Sequence, residues 1–209
     1  TSVEWKGTRN NIVDTPGHAD FGGEVDRIQS MVDGVVLLVD ASEGAIPQKK
    51  FVTSKALSHG LRQIVVVNKV DKADCEPDRA VDAVFDLFAA LEASDEQLDF
   101  PTMFASGRSG WCDDTLDGPR KYLDALFDKI IAHVPAPAQI AHKAEPFRML
   151  ATTLSADPFI GRILTGRVES GTLRAGETVQ ALSRESKKIE QFRVSKVLAF
   201  RGLSQTAID

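Results

Sequence analysis

Three short apolar runs constrain this chain more than anything else in it: Asn11-Ile-Val-Asp14, Val35-Val-Leu-Leu-Val39 and Ile64-Val-Val-Val67. A strand that is apolar at consecutive positions has to bury both faces, which happens in a parallel sheet covered by helices on either side. The stretches between the runs supply those helices. Phe21, Val25, Ile28 and Val32 share a face at three-and-four spacing. So do Val81, Val84, Phe85, Phe88 and Leu91, and then Tyr122, Leu123, Leu126, Phe127, Ile130, Ile131 and Val134. Phe85, Phe88 and Phe127 are accordingly expected in the core. Thr102-Met-Phe-Ala105 reads as one more short strand, and Ser2-Val-Glu-Trp-Lys6 as an edge strand with one polar face. Alternating strands and helices predict an α/β fold with a doubly wound sheet.

The pattern changes at Val134-Pro-Ala-Pro-Ala138, where two prolines end a helix and favour an extended linker. The expected organisation is an α/β domain over residues 1–134, a linker over 135–145 and a second domain over 146–209. In that second domain Phe147–Leu154, Ile163–Val168, Thr178–Leu182 and Phe192–Leu198 read as strands, punctuated by Gly161, Gly166, Gly171, Gly176 and Gly202. A small antiparallel β-barrel fits, expected to be incomplete because no closing element is visible by Thr206–Asp209. Charge divides the same way. Residues 1–145 carry 15 Lys and Arg against 24 Asp and Glu, whereas residues 146–209 carry 10 against 6. Arg162, Arg167, Arg174, Arg184, Lys187, Lys188, Arg193, Lys196 and Arg201 would suit a phosphate-contacting surface, with a merely solvated face as the plain alternative.

Composition closes off several classes. With 43% hydrophobic and 26% charged residues, the 209-residue chain is neither disordered nor collagen-like. No apolar run approaches the roughly 18 residues that cross a bilayer, so no membrane partner is expected. Cys75 and Cys112 are far apart and form no C-x-x-C pair, so neither a disulfide framework nor a zinc site is expected, and the cytoplasm is the default compartment. His59 and His133 fall near predicted helix C-termini, where the dipole explains them. His142 is expected to be solvated.

Chemistry is concentrated just past predicted strand ends, where ligands sit in doubly wound sheets. Asp14-Thr-Pro-Gly-His-Ala-Asp20 follows the first run. Asp14 is placed to hold Mg²⁺ directly or through water. Gly17 leaves a backbone N–H open to a terminal phosphate oxygen, and His18 would face the attacking water. Taken alone, the segment is equally a simple turn. Asn68-Lys-Val-Asp71 follows the third run. A carboxylate at Asp71 can accept from guanine N1–H and the exocyclic amino group, a donor pair absent from adenine. Asn68 can brace the loop, and the Lys69 stem can lie along the ring plane. Ser106 and Gly107 follow Thr102–Ala105, where backbone N–H groups could meet guanine O6. The order of these loops, each after its own strand, favours nucleotide binding.

Through Asp14-Thr-Pro-Gly-His18, Asn68-Lys-Val-Asp71 and the segment Gly161–Glu177, the sequence resembles the translational GTPases. Within them it looks most like the TypA/BipA group of ribosome-associated GTPases, on His18–Val25, Asp95–Pro101, Glu145–Leu150 and Gln191–Val194. The resemblance implies GTP or GDP with Mg²⁺ as ligands and His18 as the residue orienting the hydrolytic water. It implies Asp14 as the support for Mg²⁺, with Asn68, Lys69, Val70, Asp71, Ser106 and Gly107 around the base. It also implies a ribosomal partner, rRNA and protein near the factor-binding site, and not DNA. No G-x-x-x-x-G-K-[ST] occurs in the sequence. The chain is therefore expected to be an internal piece of a longer GTPase that keeps the base-reading corner and loses phosphate affinity. A docking module without nucleotide chemistry is the alternative, and an ATPase is disfavoured by Asn68–Asp71.

Overall fold

The computed structural model describes residues 1–15, 22–43 and 47–208. The chain forms two compact units, one comprising Thr15–Ala136 and the other Thr1–Asp14 with Pro137–Asp209.

The Thr15–Ala136 unit is built on a sheet of β3 (Gly34–Asp40), β4 (Arg62–Asn68), β5 (Thr102–Ser106) and β6 (Trp111–Asp113), in that order. The first three are parallel, and β6 returns antiparallel beside β5. Alternate residues of each central strand feed two different cores. Leu37, Val39, Val65 and Val67 pack with Ala80, Val84 and Phe88 of α3 (Pro77–Ala90) and with Leu57 of α2 (Pro47–Ser58). Ile64, Val66, Met103 and Cys112 pack on the opposite side with Leu126 and Ile130 of α5 (Asp124–His133), which follows the single turn α4 (Asp95–Leu98) in the chain. Helices on both faces give β4 the two-sided burial that its apolar run requires, whereas β3 lies at the edge of the described sheet and leaves Val36 and Leu38 exposed, which corrects the expectation for Val35–Val39. Gly34 is needed where β3 passes beneath α5, because a Cβ there would lie 2.6 Å from a Val134 methyl.

Several elements depart from expectation. Asn11–Asp14 is not a buried parallel strand. β2 (Thr8–Asn11) instead pairs antiparallel with β1 (Ser2–Trp5), and Ile12 and Val13 are exposed. Lys6 and Gly7 both have positive φ, 47° and 77°, the signature of a two-residue hairpin turn that dictates an antiparallel partner. The last rung is Ile12, which exchanges hydrogen bonds with Thr1. Helix α2 was not visible in the pattern because its buried face is made of Thr53, Ala56 and Leu57 rather than a large-residue stripe. The Val25 and Ile28 face lies on α1 (Gly22–Gln29), with Phe21 outside the described residues. Tyr122 precedes α5 and is exposed, with φ 49°. Of the three phenylalanines expected in the core, Phe88 is fully buried and meets Phe100 edge-on, with centroids 5.0 Å apart. Phe127 is half-buried, and Phe85 is 47% exposed.

The other unit is all β apart from a 3-10 turn at Ala138–His142 inside the expected linker. Its strands pair as hairpins: β7 (Arg148–Asp157) with β8 (Gly161–Ser170), β9 (Thr178–Leu182) with β10 (Lys188–Arg193), and β11 (Val197–Arg201) with β12 (Ser204–Ile208). The stretch Phe192–Leu198 is therefore divided between β10 and β11. Among the described residues no closed barrel forms, which corrects the barrel expectation: each strand pairs only with its hairpin partner. Leu150, Leu154, Leu164 and Val168 accordingly remain exposed. Gly166 lies at a bulge between Ala151 and Thr153, and a Cβ there would overlap the Leu150 carbonyl. The β1–β2 hairpin joins this unit through Ser2, whose N–H donates to Gly202 O at 3.0 Å and whose hydroxyl donates to Phe200 O at 3.0 Å.

The burial contrast makes a stability prediction. Phe88→Ala should destabilise the chain by about 3–5 kcal/mol, whereas Phe85→Ala should cost less than about 1.5 kcal/mol. Urea unfolding of the two variants checks this, and equal losses would contradict the assigned core.

Candidate nucleotide-base site

Strand register brings the base-reading candidates to one edge. Asp40 pairs with Asn68 across β3 and β4, and Asn68 pairs with Ala105 across β4 and β5. The C-terminal ends of three parallel strands thus deliver Asp40, Asn68 and Ser106 side by side, the place where an open α/β sheet presents its ligand site.

The Asn68 carboxamide joins the two expected loops. Its Oδ1 accepts the Lys69 N–H at 2.8 Å and the Gly107 N–H at 2.9 Å. Both neighbours are backbone donors, so the oxygen has to face them. Gly107 sits in ordinary van der Waals contact range of that amide, 3.5 Å from where its Cβ would stand. Val70 N–H donates to Ala105 O at 3.3 Å, a second tie between the loops. Val70 O in turn accepts the Cys75 thiol at 3.4 Å.

Asp71 is exposed, while Ser106 beneath it is fully buried. A hydrogen bond from Ser106 lowers the Asp71 pKa, with Arg108 and Lys72 adding favourable charge. The Ser106 hydroxyl oxygen also accepts Ser109 N–H at 3.2 Å, and since an ionised carboxylate can only accept, the hydroxyl donates toward Asp71. The arrangement holds an ionised acceptor at the surface, supported from below and open to a ligand with paired N–H donors.

Lys69 stands at φ 66° and extends its ammonium to Asp40 Oδ2 at 2.5 Å. Lys72 lies 3.7 Å from the same oxygen, and Ser42 N–H donates to Asp40 Oδ1 at 2.9 Å. The Asp40 side chain is 8% exposed. Its pKa is lowered to about 2, chiefly by the Lys69 hydrogen bond acting against burial. Sequence reading passed over Asp40. The available signal was an aspartate ending an apolar strand at the same edge as Asn68.

The phosphate-side candidates are placed differently. Asp14 is exposed, in irregular backbone after β2, and belongs to the other compact unit. Gly17 and His18 lie outside the described residues. Among the described residues no group of three or more His, Cys, Asp or Glu could hold a metal ion. His59 contacts Asp26 at 3.3 Å, and His142 contacts Glu145 at 2.6 Å. Burial lowers the His133 pKa.

Asn68→Ala leaves two donors without their acceptor and should cost about 1–3 kcal/mol, whereas Asn68→Asp keeps the acceptor and should stay within about 1 kcal/mol. Chemical unfolding distinguishes the pair. Because the Asp40 pKa is depressed when folded, its stabilisation is complete above the unfolded value of 3.8 and is lost as pH falls toward about 2. An NMR titration should find the Asp40 carboxyl midpoint near 2, and a midpoint near 3.8 would remove the ion pair from the account.

Residues 1–136 match the family described as the elongation factor Tu GTP binding domain, and residues 161–209 match elongation factor Tu domain 2. Large ribosomal subunit assembly factor BipA of Synechocystis sp. is 50% identical over 205 residues, 98% of this chain and 34% of that protein. The proteins of the same name from Bacillus subtilis and Escherichia coli K12 are each 44% identical over 209 residues, all of this chain and 34% of theirs. The chain thus spans about a third of the length of the curated relatives it matches. With its first 136 residues matched by the elongation factor Tu GTP-binding domain, the chain belongs to the translational GTPases.

Proposed function

We propose that the chain is the guanine-recognising part of a ribosome-associated, GTP-hydrolysing translation factor of the TypA/BipA kind. The observation that supports this best is the exposed Asp71 carboxylate, supported by buried Ser106 and set beside the Asn68–Gly107 tie. An ionised acceptor there matches the N1–H and amino donors of guanine and meets no such pair on adenine. Lys69 would lend its stem to the base plane, and the Ser106–Gly107 loop, whose Gly107 N–H is already held by Asn68 Oδ1, would lie beside O6.

Phosphoryl transfer needs positioning and charge neutralisation more than covalent chemistry. Mg²⁺ brought in with the nucleotide would supply that neutralisation. Asp14, whose carboxylate is exposed, would hold that ion directly or through water. Gly17 would offer its N–H to the terminal phosphate, and His18 would orient the attacking water. Residues 1–134 would form the G domain, 135–145 the linker and 146–209 the barrel-type domain of translation factors. The basic balance of residues 146–209 supports contact with rRNA and ribosomal protein, and a cytoplasmic location follows from that partner. The three relatives carry ribosomal subunit assembly in their names. A docking role without nucleotide chemistry is the second reading, which the basic balance of residues 146–209 would serve equally well.

The base assignment is tested by Asp71→Asn, whose amide can donate to the C2 oxygen of xanthine. The ratio of XDP to GDP affinity, measured by calorimetry, should rise by at least about tenfold. An unchanged preference for GDP would remove Asp71 from base reading, and binding of neither nucleotide by the folded parent chain would favour the docking role.

A further inference from the structure

Lys69 presents a physical problem that base reading alone does not solve. Its φ of 66° is a left-handed conformation that costs an L-residue about 1–2 kcal/mol. Such a conformation persists where the surroundings over-determine it. Two contacts do so: Asn68 Oδ1 takes its N–H, and Asp40 takes its ammonium. Asp40 is itself fixed by strand pairing with Asn68 and by Ser42 N–H. The charged groups facing Asp40 are Lys69 and Lys72, while Glu43 acts on Lys69 and Asp74 reaches Ser42 Oγ at 3.4 Å.

We infer that Asp40 is the positioning residue of the base-reading loop: by holding the Lys69 ammonium it shapes Asn68–Asp71 before any nucleotide arrives. The loop's task rests on the guanine reading above, whereas the shaping does not. A carboxylate that is 8% exposed needs a partner, and Lys69 is the nearer of the two cations. With that charge removed, the half-exposed Lys69 side chain has no reason to remain against β3. The left-handed turn then loses one of its two supports, and the Asn68 acceptor shared with Gly107 loosens with it.

The rival explanation is that Asp40 merely caps β3 through Ser42. Asp40→Asn separates the two, because an amide oxygen still accepts from Ser42 N–H but carries no charge for Lys69. In the nucleotide-free chain, hydrogen exchange at the Lys69 and Gly107 amides should accelerate about tenfold in Asp40→Asn and equally in Lys69→Met, with no further gain in the double variant. GDP affinity should fall about tenfold in each single variant and no further in the double. Unchanged exchange in Asp40→Asn, or effects that simply add in the double variant, would overturn the inference. If Asp40→Asn does not fold, Lys69→Met decides alone, since it removes an exposed ammonium: unchanged Gly107 exchange then refutes the positioning role. If exchange couples as expected but the parent chain binds guanine and adenine nucleotides alike, the guanine reading fails and the positioning role stands.

Discussion

One acceptor, Oδ1 of Asn68, ties together two loops that are 39 residues apart in sequence. It takes the N–H of Lys69 from its own loop and the N–H of Gly107 from the loop after β5. That double use is possible because the parallel register of β3, β4 and β5 ends all three strands at the same edge. The apolar runs that build those strands therefore do more than fill a core. They fix the relative heights of Asp40, Asn68 and Ser106 to within a residue, and the loops inherit that precision.

Much of this was legible in the sequence. Val35–Val39 and Ile64–Val67 had to be strands of a parallel sheet, and Asn68–Asp71 and Ser106 had to lie at strand ends once it was, but only Ile64–Val67 is buried on both faces: β3 is an edge strand of the described sheet and leaves Val36 and Leu38 exposed. The failures have physical causes. Asn11–Asp14 looks like a buried strand by composition, yet Lys6-Gly7 makes a left-handed two-residue turn that commits Thr8–Asn11 to an antiparallel hairpin. Helix α2 hides because its buried face carries a single large apolar residue, Leu57, beside Thr53 and Ala56. Phe85 shares the helical period of Phe88 but sits at the margin of the stripe, where periodicity does not separate core from surface. Asp40 was missed because an aspartate at a strand end reads as an exposed terminus, and its ion pair depends on a register that no local pattern reveals.

The two halves of the expected chemistry thus stand on different footing. The candidate base side is a set of contacts within one unit: a supported carboxylate, a shared acceptor and a buried counter-charge. The phosphate side rests on the resemblance carried by Asp14, Gly17 and His18. The β unit adds a basic strand set whose apolar positions at Leu150, Leu154 and Leu164 are uncovered.

The central claim is that this corner selects guanine. It is tested most directly by titrating the chain with a fluorescent GDP derivative in Mg²⁺ and competing with unlabelled GDP, GTP and ATP. The account predicts displacement by GDP and GTP, with ATP weaker by at least about 100-fold. Displacement by ATP at similar concentrations, or a folded chain from which guanine nucleotides displace nothing, would contradict it.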